Sequence, residues 1–72
     1  MIKGKSALEL SGIAHAGGSL EVDGAKYSAL ELSGMAHALK PNATLKIHNS
    51  DSKSALELSG IAHAKPGQVI FS

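Results

Sequence analysis

The chain has 72 residues, a formal net charge of +1, seven lysines, no arginine and no cysteine. One small domain is the limit at this length. No disulfide can staple it, single scattered lysines lack the clustered and often Arg-rich face of a nucleic-acid binder, and no apolar run approaches membrane-spanning length.

In chain order, Met1-Ile2-Lys3 reads as a short first strand. The opening Met1-Ile2-Lys3-Gly4-Lys5 is too short and polar for a signal peptide, so a cytoplasmic location is expected. An eleven-residue phrase follows, SALELSGIAHA at Ser6–Ala16. It returns as SALELSGMAHA at Ser28–Ala38 and SALELSGIAHA at Ser54–Ala64, with Met35 the one departure from identity. The starts lie 22 and 26 residues apart, within the range of solenoid repeats. Each phrase opens on the S-x-x-E capping box, Ser6/Glu9, Ser28/Glu31 and Ser54/Glu57, and so predicts helices over Ala7–Ala16, Ala29–Leu39 and Ala55–Ala64. Tyr27 stands where it could staple onto Leu32. Gly17, Pro41 and Pro66-Gly67 are stop signals.

Between helices the period switches from 3.6 to 2. Leu20–Val22, Thr44–His48 and Val69–Phe71 read as strands. Alternating strands and helices with brief connections predict an α/β fold of order β-α-β-α-β-α-β. The expected form is a two-layer slab: a sequential, mainly parallel sheet with three short helices on one face, in a single domain over residues 1–72. Leu20, Val22, Leu45 and Ile47 should face the helices, and Glu21 and Lys46 the open side. On the helical wheel Ala7, Leu10 and Ala14 should lie on the sheet. Gly12, Gly34 and Gly60 cost each helix about 1 kcal/mol relative to alanine. The expected reason is close approach, the isoleucine or methionine of one repeat sitting over the glycine of the next.

A strand and helix recurring every twenty-odd residues resembles a leucine-rich-repeat style α/β solenoid, although the L-x-x-L-x-L-x-x-N phrase is absent. The S-x-L-x-x-I-A-x-A pattern is similar to small bacterial β-α tandem-repeat proteins. The resemblance implies an architecture and transfers no functional residue.

His15, His37 and His63 invite a metal reading. Zinc needs its nitrogens about 2.0–2.1 Å from one ion, whereas equivalent positions on neighbouring helices stand about 8–10 Å apart and point in parallel. A favourable place near each helix C-terminus explains them better, and no metal or cofactor is expected. Ser11/His15, Ser33/His37 and Ser59/His63 can meet at i,i+4, but a hydrolytic serine also needs an oxyanion hole and a third group. Gly17-Gly18 and Pro66-Gly67 follow helices, whereas phosphate loops precede them. Glu9, Glu31 and Glu57 are explained by capping.

The expected function is therefore non-enzymatic: a self-associating protein-interaction module, a homodimer or larger homo-oligomer, without nucleic acid or membrane. Its candidate surface is Glu21, Lys46, His48, Asn49, Asp51 and Phe71, drawn from the open sheet face, the irregular polar segment and the outer strand. The alternative is a structural building block, or a duplicated or engineered repeat without an evolved ligand. A small Ser/His hydrolase or metal-binding protein ranks below both.

Overall fold

Each copy of the phrase caps its own helix. The Ser6 side chain accepts the Glu9 N–H at 3.1 Å and the Glu9 carboxylate accepts the Ser6 N–H at 2.9 Å. The same reciprocal pair closes at Ser28/Glu31 and at Ser54/Glu57. In the computed structural model, which describes all residues from Met1 to Ser72, these boxes start α1 (Ala7–His15), α2 (Ala29–Ala38) and α3 (Ala55–Ala64). Helix α1 ends in a Schellman motif: the Gly17 N–H reaches the Ala14 carbonyl and the Gly18 N–H the Ile13 carbonyl. The other two helices give way to Pro-containing turns. In Lys40-Pro41-Asn42-Ala43 and Lys65-Pro66-Gly67-Gln68 the fourth N–H returns to the first carbonyl at 3.1 and 3.0 Å. Asn42 and Gly67 take the positive φ that a type II turn demands at its third residue.

Strands β1 (Leu20–Asp23), β2 (Leu45–His48) and β3 (Val69–Phe71) follow the three helices. They pair in parallel in the order β1-β2-β3. The register sets Leu20, Leu45 and Val69 in one row and Val22, Ile47 and Phe71 in another. These residues face the helix layer, and Leu20, Val22, Leu45 and Ile47 join Leu10, Ala14, Leu32, Met35, Ala36 and Ile61 in one core. Helix α2 packs against both α1 and α3. The α/β slab with a sequential parallel sheet is thus the architecture of the chain. Strand β2 begins at Leu45, one residue later than the alternation suggested, because the Thr44 N–H goes to the Ser19 hydroxyl.

Two expectations are corrected. Met1–Lys3 is not a strand. It keeps one ladder bond, from the Ile2 N–H to the Glu21 carbonyl at 3.1 Å, before Gly4 at φ +75° turns the chain into the Ser6 cap. The Tyr27 hydroxyl, donating to the Lys5 carbonyl at 2.7 Å, holds that turn. The repeated glycines are not packing sites either. Gly12, Gly34 and Gly60 are exposed, and a Cβ at any of them would meet nothing within 4 Å. They lie on the face that carries Leu8, Leu30 and Leu56, pointing away from sheet and neighbours alike.

The glycine that close approach does require is Gly24, in the short 3₁₀ turn Gly24–Lys26 after β1. A Cβ there would stand 2.6 Å from the Ile47 Cγ2 and 2.9 Å from the His48 carbonyl oxygen. Ser50 occupies the same place in the next turn, Ser50–Ser52, where it is buried and its hydroxyl donates to the Ile47 carbonyl at 2.7 Å.

Candidate interaction surface

Three copies of one phrase act as an internal control, because the same residue is seen in three surroundings. Leu8, Leu30 and Leu56 are each 83% exposed. Equal exposure means that this side of every helix sees only solvent. The next comparison is unequal. Ile13 is 37% exposed, whereas its counterparts Met35 and Ile61 are fully buried. This position therefore faces the preceding helix, and α1 has none. The opposite flank shows the reverse trend. Leu10 and Leu32 are buried but Leu58 is only half-buried; Ala14 and Ala36 are buried but Ala62 is half-buried; Ser11 and Ser33 are half-buried but Ser59 is exposed. That flank faces the following helix, and α3 has none.

The sheet repeats the asymmetry. Val69 and Phe71 are half-buried, although their row-mates Leu20, Leu45, Val22 and Ile47 are buried. The core thins at its third unit. Beside it an open depression at the carboxyl ends of β2 and β3 is lined by His48, Asn49, Asp51, Leu58 and Phe71 among others. Four of the six surface residues expected from the sequence thus share one feature.

Glu21 and Lys46 are neighbours across β1 and β2, as expected, on the open sheet face. The Glu21 carboxylate turns to His48 instead, Oε1 to Nε2 at 2.9 Å. That hydrogen bond, with smaller help from the charges of Lys46, His48 and the N-terminal ammonium, holds the Glu21 carboxyl below its ordinary pKa. Asn49, in a left-handed conformation, donates from Nδ2 to Asp23 Oδ1 at 2.9 Å. The bond from Asn49, and the Ala25 N–H on the same oxygen at 3.0 Å, keep Asp23 low as well. Lys53 reaches back to the Gly24 carbonyl at 2.8 Å. The polar segment around Asn49 is thus a clasp between successive turns, with Asn49, Asp51 and Ser52 exposed and Ser50 buried. The opposite end of the slab is clasped too. Lys65 donates to the His37 carbonyl, and the Gln68 amide to the Lys40 and Ala43 carbonyls, each at 2.9 Å.

His15, His37 and His63 are exposed. No three His, Asp or Glu side chains gather where a metal ion could be held. A second cleft of about 180 Å³ lies between the N-terminal segment and the first turn, lined by Ile2, Gly4, Asp23, Lys26 and Tyr27 among others. No helix is long and apolar enough to cross a membrane. Sequence reasoning missed the Glu21–His48 pair, the exposed leucine row and the clasp residues Lys53, Lys65 and Gln68. The leucines could have been found, since Leu8 shares the outward arc of the wheel with Gly12 and His15. The others join residues 25 to 29 apart in the chain, which no local pattern carries.

Comparison with protein-family models, with curated proteins and with solved structures finds no match.

Proposed function

We propose that this chain is a non-enzymatic β-α repeat module of the cytoplasm, akin to an α/β solenoid, that works by binding other copies of itself. One observation carries the reading. The helix phrase of the third unit repeats that of the first letter for letter, yet the third unit leaves Leu58, Val69 and Phe71 half-buried where the corresponding residues elsewhere are covered. An alanine-rich core of this size has little apolar area to spare, and the strand edge of β3 leaves backbone groups without a partner. Covering that end with protein supplies both.

Sedimentation velocity and thermal melting over a wide concentration range test the proposal. The average mass and the melting temperature should both rise with concentration, because a partner that binds the folded state stabilises it by mass action. Phe71→Ala should lower both, with an intrinsic loss of stability of about 2 kcal/mol, below the figure for a fully buried phenylalanine. A monomer at every concentration, with one constant melting temperature, would contradict the reading.

A further inference from the structure

We infer that copies of this chain join head to tail, the α3 end of one receiving the α1 end of the next, so that the helix layer continues through the joint. The inference rests on the self-association proposed above and adds its geometry.

The joint already exists inside the molecule. Where α2 meets α3, the flank of α2 that bears Ser33 faces the flank of α3 that bears Ile61, and Ile61 is wholly buried there. Helices α1 and α3 have the same sequence. The free flank of α1 therefore offers Ile13 where α3 offers Ile61, and the free flank of α3 offers Ser59 where α2 offers Ser33. Placing α1 of a second copy against α3 brings together the residue types that the internal joint brings together. A symmetric joint of α3 with α3, or of α1 with α1, would match two like flanks, for which the chain holds no precedent.

The sheet beneath fits the same polarity. The outer edge of β3 is open, whereas the outer edge of β1 is held by Ile2 through one bond. Within the sheet each such N–H bonds the residue before its register partner, as Leu20 does with Thr44. By that rule Ile2 stands opposite Val22, beyond one end of the row Val22, Ile47 and Phe71, with Phe71 at the other. Phe71 of a neighbouring copy would claim the place of Ile2, and the joint must displace that single bond together with the packing of the Ile2 side chain against the core. A heterologous joint of this kind leaves one free end of each type, so assembly continues by addition instead of stopping at a dimer.

Complementation decides it. Ile13→Lys blocks the α1 end and Ser59→Lys blocks the α3 end; both positions are exposed in the single chain. Each variant alone should sediment as a monomer at concentrations where the unaltered chain assembles. An equimolar mixture should give a dimer and nothing larger, because one sound joint forms and both outer ends are blocked. Far-UV circular dichroism checks that each variant folds, and Ile13→Thr with Ser59→Gln provides a milder pair. An unaltered chain that stays monomeric overturns self-association and this inference together. An unaltered chain that assembles, with single variants that still assemble or a mixture that does not recover the dimer, overturns the head-to-tail joint and leaves self-association standing.

Discussion

Gly34 shows how a residue can be costly without being strained or packed. It sits mid-helix, exposed, with open space where its Cβ would be. Gly34→Ala should therefore stabilise the fold by about 0.8–1 kcal/mol, the propensity difference alone, read as a higher urea midpoint with an unchanged slope. A loss of stability would mean that a neighbour approaches this helix on its outer face. The carboxylates give a second expectation at the same scale. Glu21 is held low by His48, Asp23 by Asn49 and the Ala25 N–H, and Glu9 and Glu57 by the backbone and hydroxyl of their cap serines. Each has a folded-state pKa below its unfolded value. Its contribution is complete above the unfolded pKa and is lost as pH falls through the folded one. The melting temperature should hold down to about pH 5 and fall below about pH 4. His48→Ala should blunt that fall by removing the bond that sets Glu21 apart. A melting temperature that is level throughout the acid range would contradict the assignment.

The helices were the most legible elements in the sequence, since Ser and Glu three apart need no tertiary information to close a capping box. Strands β1 and β2 were legible too, because one face of a sheet backed only by solvent leaves a strict apolar-polar alternation, whereas β3, Val69-Ile70-Phe71, reads as a short apolar run after the last helix. Parallel order followed from connections that hold a helix each. The same local reasoning failed for Gly12, Gly34 and Gly60. A helical wheel assigns arcs, but the distance between helices decides whether a missing side chain is needed, and here the alanines and Met35 on the inner arcs already set it. It failed at Met1–Lys3 for a related reason: period and composition suit a strand, but Gly4 bends the chain away after one rung. Of the six surface residues expected, His48, Asn49, Asp51 and Phe71 share the depression. Glu21 and Lys46 lie on the open sheet face, and Glu21 connects to the group through His48. Glu21 bonds its diagonal neighbour His48 instead of Lys46 directly opposite, a choice that alternation leaves undetermined.

For the molecule as a whole, the main helix–helix and strand–strand joints are between neighbours in sequence: α1 with α2, α2 with α3, β1 with β2 and β2 with β3. Such a stack behaves nearly as a one-dimensional chain, in which a unit's stability is its own term plus one term for each neighbour. Only the middle unit has two. The clasps bind it from both sides, the Thr44 N–H to Ser19 on one and Gln68 to Lys40 and Ala43 on the other. The molecule should therefore open from its ends, so that local unfolding precedes global unfolding in α1 and in α3 with β3. Native-state amide hydrogen exchange would read this directly. At concentrations too low for assembly, the slowest amides should be those of Leu32–Ala36 and Leu45–Ile47, with protection declining outward even though Ser6–Ala16 and Ser54–Ala64 repeat Ser28–Ala38 at all but Met35. Phrases that differ only at Met35 would then exchange at rates set by their address in the stack, which makes exchange a measure of neighbour coupling with composition held nearly constant.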